Sequence, residues 1–302
     1  MKKFAFMDDL YNKTQVDTML SQKQNALDED EVTMIGQVTD ERKTVITFTD
    51  NTSEEYEWSG EITRNNIVDA GLWDVDHGGW IKEPLSIKVG TAVTRLGNYA
   101  FANAHYLTSI DIPSTVTSIG MYCLYDCSAL TGITIPYSMK EIGSDTFGLC
   151  SSLTSVTIPN SVESIGAAAF ENCTSLSTLL IPDSVTSIGA RAFIGCTSLT
   201  NLRIPDNVTS IGANAFRASG IQTITIGSSV SSIGENAFRD ASGVTSVVFR
   251  GKTLTQVQAM TDYPWQLTTS TISTWNDTSK EYVDGLVGTI NTTLDTINGE
   301  VI

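Results

Sequence analysis

Apolar and polar positions in the middle of the chain recur every 23 residues. Each copy has an apolar residue, two polar residues, Ile or Leu, and a glycine. The copies are Val93–Gly97, Val116–Gly120, Met139–Gly143, Val162–Gly166, Val185–Gly189, Val208–Gly212 and Val230–Gly234, with one residue missing in the copy that starts at Val208. A unit of this length cannot bury an apolar face alone, so successive units must stack. The pattern predicts a solenoid of seven coils of 22–23 residues.

Between these copies the chain alternates as a β-strand does, in a Leu-x-x-Ile-x-Ile-Pro pattern such as Leu107–Pro113. The alternation turns one pair of apolar residues per coil inward, and Ile87 and Val89 keep the same phase as an eighth rung. We therefore predict a parallel sheet with strands about 4.8 Å apart, joined by short helical turns. The repeated glycines indicate either a positive φ or a close approach between coils.

The repeat unit Leu153–Cys173, with the sequence LTSVTIPNSVESIGAAAFENC, resembles the BspA-like class of leucine-rich repeats. The resemblance covers about half of the chain. It implies a β-rich leucine-rich repeat solenoid. It also implies recognition and not a reaction, since members of this class are mostly cell-surface or secreted binding proteins. Similar repeats also occur in bacteriophage tail proteins.

Both ends of the chain predict helices. The segment 11–25 has a capping box at Thr14 and Asp17, and it resembles segments near the bases of phage tail fibres. The last residues carry a heptad stripe of Val283, Val287, Ile290, Leu294, Ile297 and Val301. β-branched residues in this stripe favour three or more strands, so we expect a homo-oligomer, most simply a trimer. Docking of the stripe on the chain's own body is the alternative.

These patterns divide the chain into five parts. A hairpin of Val45–Thr49 and Glu55–Ser59 is predicted in the second part, and a helix over Lys252–Met260 in the fourth. The parts are an N-terminal helical attachment segment (1–31), a small β module (32–83), the solenoid (84–249), a C-terminal cap (250–276) and the heptad helix (277–302).

The charge balance excludes two kinds of partner. The chain has 18 basic and 34 acidic residues, a net charge of −16, and no basic stripe. Such a surface cannot neutralise phosphates, so we expect no nucleic-acid partner and no docking on an anionic bilayer. No stretch approaches 18 apolar residues, so we expect no membrane insertion.

The sequence also contains few residues of the kinds that catalyse reactions or bind cofactors. With two histidines and no recognisable nucleophile, phosphate-loop or zinc motif, we expect no enzyme activity and no cofactor. A polysaccharide-cleaving appendage is the alternative, because its catalytic acids need no local motif. The loop Trp73–Trp80 could hold a hard cation or be an ordinary loop, which we favour because a calcium loop offers more oxygen ligands.

Four cysteines lie 23 residues apart, at Cys127, Cys150, Cys173 and Cys196. They could form a metal or redox column, or act as small buried apolar residues. The second interpretation is favoured because other coils have Ala or Ser at that position, and we expect no metal. Cys123, outside this spacing, is expected to be a free thiol.

The outward strand positions carry mostly small hydroxyl side chains, which suit contact with a glycan or a protein but are also ordinary solvent-facing strand residues. Asn201 and Arg203 depart from this pattern. The receptor-contact candidates are therefore Asn201, Arg203, Thr178, Leu180, Thr223 and Thr225.

The first ten residues lack the apolar stretch of a signal peptide. Because phage proteins leave the cell by lysis, we interpret the chain as a virion appendage that binds a host-surface protein or glycan and contacts other virion proteins. The alternatives are a bacterial surface or secreted adhesin and a structural virion spacer.

Overall fold

The computed structural model describes residues 40–263, Trp265, Leu267 and residues 272–275. The N-terminal attachment helix (1–31) lies outside the described residues. So does the heptad helix with its candidate oligomerisation residues, Val283, Val287, Ile290, Leu294, Ile297 and Val301. Both therefore stay predictions.

The described chain winds into a β-solenoid in which each coil contributes one strand to each of two parallel columns. The first strand column carries the Ile-x-Ile residues of the repeat, and the second carries the Ser-Ile residues that precede the repeated glycines. The β-rich leucine-rich repeat solenoid that the sequence predicts is confirmed.

A small β module opens the described chain. Its elements are β1 (Thr44–Phe48), β2 (Ser53–Tyr56), β3 (Gly60–Ile62), helix α1 (Arg64–Asp69), β4 (Trp73–Asp74) and β5 (Gly79–Trp80). Strands β1 and β2 form the antiparallel hairpin that the sequence predicts. Thr63 begins α1 because its side chain accepts a hydrogen bond from the backbone N–H of Asn66.

The first strand column starts directly on this module. Its strands are β6 (Pro84–Lys88), β8 (Ser109–Asp111), β10 (Gly132–Thr134), β12 (Ser155–Thr157), β14 (Thr178–Leu179), β16 (Asn201–Arg203), β18 (Thr223–Ile226), β20 (Ser246–Arg250) and β21 (Ile272–Trp275). Ile87 of β6 is in register with Ile110 of β8, so the predicted eighth rung is confirmed. Strand β1 runs antiparallel to β6 and covers its free edge. The hydrogen-bonded ladder is interrupted between β8 and β10 and between β14 and β16.

The second strand column was not predicted. It consists of β3 followed by β7 (Val93–Leu96), β9 (Ser118–Ile119), β11 (Glu141–Ile142), β13 (Ser164–Ile165), β15 (Ser187–Ile188), β17 (Ser210–Ile211) and β19 (Ser232–Ile233). Each isoleucine of these short strands is buried in the core, and each serine lies towards the surface. A strand of two residues is too short to show an alternating pattern in the sequence, which is why it was missed.

The remaining side of each coil is a run of non-helical turns. The structure has no helix between residues 97 and 250, which lie wholly within the described part, so the expected short helical turns are not formed. Two residues per coil, such as Ala168 (φ 51°) and Asn172 (φ 56°), are left-handed and interrupt any helix. The backbone N–H of Phe170 instead donates to the carbonyl of Ala192 in the next coil, at 2.9 Å.

The repeated glycines are required for close packing between coils. A Cβ added at Gly212 would lie 2.3 Å from the backbone nitrogen of Ala190 in the preceding coil. None of the repeated glycines has a positive φ. Of the two interpretations of these glycines, close approach is therefore correct and a positive φ is wrong.

A column of aromatic rings forms the centre of the core. Five phenylalanines stack in consecutive coils with ring centroids 5.3–5.6 Å apart, namely Phe147, Phe170, Phe193, Phe216 and Phe238. At the C-terminal end, helix α2 (Leu254–Gln258) lies within the segment predicted to be helical. The buried ring of Trp265 lies 5.8 Å from that of Phe249 and covers the last coil.

Candidate binding surface

The six receptor-contact candidates lie side by side on the outer side of the first strand column. Strands β16 and β18 place Asn201 opposite Thr223 and Arg203 opposite Thr225. Thr178 is the first residue of β14, and Leu180 is the first residue after that strand. We call these six residues the strand surface: Thr178, Leu180, Asn201, Arg203, Thr223 and Thr225.

An exposed leucine stands out on the strand surface. Leu180 is 72% exposed, whereas Ile181, the next residue along the chain, is buried in the core. Thr178 and Asn201 nearby are exposed polar residues. The strand surface therefore combines one large aliphatic side chain with a hydroxyl and amide surround.

Polar side chains of the strand surface form a hydrogen bond and an ion pair that are exposed to solvent. The Thr223 hydroxyl donates to Asn201 Oδ1 at 2.5 Å, and Arg203 Nη1 lies 3.2 Å from Asp183 Oδ1. The side chains of Arg203 and Asp183 are 47% and 75% exposed. An ion pair this exposed contributes less than about 1 kcal/mol, so Arg203 can exchange Asp183 for a partner group at little cost.

A second acidic group lies at the border of this region. Asp206 Oδ1 accepts a hydrogen bond from the backbone N–H of Ser228 at 2.9 Å, which lowers the pKa of Asp206. Its Oδ2 lies 2.6 Å from Arg250 Nη1. Asp206 is therefore ionised at neutral pH and holds Arg250 beside the strand surface.

The N-terminal half of the outer side of the first strand column contains a shallow groove that is not among the predicted sites. It has a volume of about 600 Å³ and crosses β6, β8, β10 and β12. Gly132 lies in this groove where neighbouring strands carry Ser109 and Ser155. The missing side chain deepens the groove, a signal that the sequence does contain.

The cysteine column is a packing feature. Each of the four thiols donates to a carbonyl of the preceding coil, for example Cys150 Sγ to Leu124 O and Cys173 Sγ to Phe147 O. Burial raises the pKa of Cys150 and of Cys196 to about 12. These thiols are therefore protonated at neutral pH and are not activated as nucleophiles. All five cysteines, Cys123 included, are free and buried.

The loop Trp73–Trp80 folds around one carboxylate. Asp74 Oδ1 accepts hydrogen bonds from the backbone N–H groups of Asp76 and His77, and its Oδ2 lies 2.7 Å from His77 Nδ1. These bonds, chiefly that of the His77 ring, lower the pKa of Asp74. The carboxylate is thus occupied within the loop, which supports the ordinary-loop interpretation. No group of three potential metal ligands occurs among the described residues.

A cluster of aromatic residues, absent from the predicted sites, lies where the β module meets the first coils. Tyr99 and Tyr122 occupy the same position in consecutive coils, and Trp73 of the β module lies beside them. The signal was their spacing of 23 residues, but no other coil has tyrosine at that position.

Within the described residues, no helix has the length and apolar character needed to cross a membrane.

Comparison with known proteins gives one family and several similar folds. Residues 83–189 and 164–282 match the model described as BspA type leucine rich repeat region (6 copies). No curated protein matches the chain.

Three of the similar solved structures are bacterial proteins. The T. pallidum leucine rich repeat protein TpLRR is 24% identical, with 55% of this chain and 80% of that chain covered and a TM-score of 0.48. A leucine-rich repeat protein from Bacteroides ovatus is 22% identical (68% and 74% covered, TM-score 0.37). The pneumococcal vaccine antigen PcpA is 18% identical (67% and 65% covered, TM-score 0.43). Because the family model matches about two thirds of the sequence, the chain belongs to the BspA-type leucine-rich repeat family.

Proposed function

We propose that this protein is a bacterial surface or secreted adhesin that binds a host protein or glycan through the strand surface. The observation that carries the proposal is the exposure of Leu180, which is 72% accessible in the middle of a polar strand face. Proteins of the BspA-like class are mostly binding proteins at the cell surface, and membership in that family supports the same function.

The composition of the strand surface supports binding. Arginine is one of the residue types that contribute most to binding at interfaces, and the exposed leucine supplies apolar area that a partner can bury. Burial of Leu180 in a partner would contribute about 1.5–3 kcal/mol. Arg203 adds a donor group whose present partner, Asp183, is exposed and exchangeable.

The backbone beneath the strand surface also favours binding. The β16 and β18 strands are hydrogen-bonded in register, and their inward residues Leu202 and Ile224 are buried. The backbone that carries Asn201, Arg203, Thr223 and Thr225 is therefore ordered before a partner arrives, which reduces the entropy lost on association.

The virion-appendage interpretation has less support. It rests on the terminal segments 1–31 and 277–302, and the family match includes no residue of the first segment and only residues 277–282 of the second. The comparisons with known proteins give no support to it. The adhesin alternative uses the repeats themselves and is therefore preferred over both virion functions.

The test is binding of the fluorescently labelled full-length chain to a panel of epithelial cells and bacteria. We expect saturable binding to at least one cell type, and we expect Leu180→Asp to weaken it at least tenfold, equivalent to about 1.4 kcal/mol. Val75→Asp is the matched control, because Val75 is 69% exposed but lies in the β module.

Two results would refute the proposal. The first is absence of binding to every cell type, because a structural spacer is expected to bind none of them. Binding that Leu180→Asp and Val75→Asp leave equally strong would place the contact away from the strand surface.

A further inference from the structure

A pocket of about 530 Å³ lies between the β module and the turn side of the first two coils. We call it the tyrosine pocket. Its lining is Arg64, Trp73, Tyr99, Ala102, Asn103, Tyr122 and Tyr125. None of these residues belongs to the strand surface, so the tyrosine pocket is a separate site. Its volume falls within the range of small-molecule binding sites.

Three tyrosines form one wall of the tyrosine pocket. The rings of Tyr99 and Tyr122 are parallel to within 1°, with centroids 4.8 Å apart. Tyr125 meets Tyr122 edge-on at 5.3 Å. Tyr122 supports one side of the Tyr99 ring, yet Tyr99 is still 49% exposed. The wall therefore offers a supported and accessible aromatic surface.

Arg64 and Trp73 form the wall that the β module contributes. The guanidinium carbon of Arg64 lies 3.8 Å from the centre of the Trp73 ring. Its Nη2 donates to the carbonyl of Ala102 at 3.0 Å, and Trp80 Nε1 donates to the same carbonyl at 3.2 Å. These contacts tie the β module to the first coil and fix this wall before any ligand binds.

The tyrosines occupy positions that are unfavourable for their backbone. Tyr99 (φ 57°) and Tyr122 (φ 56°) are left-handed, a conformation that Asn and Asp tolerate better than aromatic residues do. The same position in later coils is occupied by Asp145, Ala168, Arg191, Asn214 and Asn236. Local backbone geometry therefore does not account for two tyrosines in the first two coils, but a role for their rings does.

The lining also restricts the charge of a ligand. It contains one cation, Arg64, and no carboxylate. Arg64 disfavours a cationic ligand, whereas the net charge of −16 and Asp145, which is hydrogen-bonded to Tyr122, disfavour an anionic one. An uncharged ligand with one apolar face and many hydroxyl groups fits both constraints.

We propose that the tyrosine pocket binds a neutral pyranose ring of a glycan. The C–H face of the sugar packs on the Tyr99 ring, and its hydroxyl groups exchange hydrogen bonds with the phenol groups and the Asn103 amide. The site does not depend on the strand surface, so it can be tested even if the adhesin proposal fails.

The experiment applies the full-length chain to an array of neutral bacterial and animal oligosaccharides. The best glycan is then titrated by saturation-transfer NMR. We expect transfer to the ring C–H protons of one sugar residue. Tyr99→Asn and Tyr122→Asn should each weaken binding about tenfold, and they should fold normally because Asn214 and Asn236 occupy the equivalent positions.

Tyr137→Asn is the matched control, because Tyr137 is 77% exposed and lies outside the tyrosine pocket. Thermal melts of all variants verify folding. The proposal is overturned if the wild-type chain binds no glycan on the array, or if binding survives both pocket variants. It is also overturned if Leu180→Asp abolishes glycan binding while the pocket variants retain it, since the sugar would then lie on the strand surface.

Discussion

Replacing Phe193 by alanine tests whether the stacked rings hold consecutive coils together. Phe193 is fully buried, and its ring lies 5.3 Å from that of Phe170 and 5.5 Å from that of Phe216. Truncation of a buried phenylalanine costs about 3–5 kcal/mol. Because two stacking contacts of about 0.5–1.5 kcal/mol each are lost here, we expect a value near the top of that range, about 5 kcal/mol.

Phe193→Leu separates the volume of the ring from its stacking. Leu124 fills the same position in an earlier coil, so leucine fits this column. The substitution keeps most of the apolar volume but loses both ring contacts, and we expect a cost of about 1–2 kcal/mol.

The assay is equilibrium unfolding of the full-length chain in urea, followed by far-UV circular dichroism. The free energy of unfolding is compared among the wild type, Phe193→Ala and Phe193→Leu. A cost below about 1 kcal/mol for Phe193→Ala would refute the reasoning, because the ring column would then contribute little to the core. Equal costs for the two variants would show that stacking, and not volume, determines the contribution.

Three further predictions follow from packing and burial. Gly212→Ala should lower the melting temperature more than Gly143→Ala, because the added Cβ would lie 2.3 Å from a backbone atom at the first site and 3.1 Å at the second. Burial raises the pKa of Cys150 from 9.0 to about 12, so the unfolded thiol ionises first. The stability that the buried thiol contributes is complete below about pH 9 and declines as pH rises towards 12. In urea unfolding, the free energy of unfolding should therefore fall less between pH 8 and pH 10 for Cys150→Ala than for the wild type. Gly132→Ser should raise the free energy of unfolding by about 0.5–1 kcal/mol, because glycine weakens a strand and the added Cβ meets nothing closer than 4.0 Å; an unchanged urea midpoint would contradict this.

The solenoid can be predicted from the sequence because the same pattern of apolar and polar residues occurs in every coil. An inward residue such as Ile110 is ambiguous in one coil, but the same alternation occurs in every coil and fixes the phase of the first strand column. The burial of the cysteines could be predicted for a similar reason. Alanine and serine occupy their position in other coils, which indicates a limit on size.

Features without their own pattern could not be predicted. The Ser-Ile strands, such as Ser187–Ile188, are too short for periodicity to reveal. The left-handed residues of the turns are chemically diverse, from Ala168 to Asn172, so their shared conformation is invisible in the sequence. It depends on hydrogen bonds with the next coil.

The tyrosine pocket was missed because its residues come from separate segments. Arg64 and Trp73 belong to the β module, whereas Tyr99 and Tyr122 belong to two coils. The β1–β6 and β3–β7 pairings bring the module against the solenoid, and neither pairing has a signature in the sequence. Proximity of this kind is a property of the tertiary fold.

The antiparallel strand β1 at the N-terminal edge has a consequence for how such proteins change in length. Another solenoid cannot extend the parallel ladder at that edge, because β1 already occupies it in the opposite direction. Coils therefore cannot be added at that edge, but they can be inserted within the array. Duplication of the codons for residues 185–207 would insert one complete coil, lengthen the molecule by about 4.8 Å and preserve its N-terminal closure. Recombination between repeats can thus enlarge the outer surface in fixed steps while the N-terminal end of the molecule stays the same.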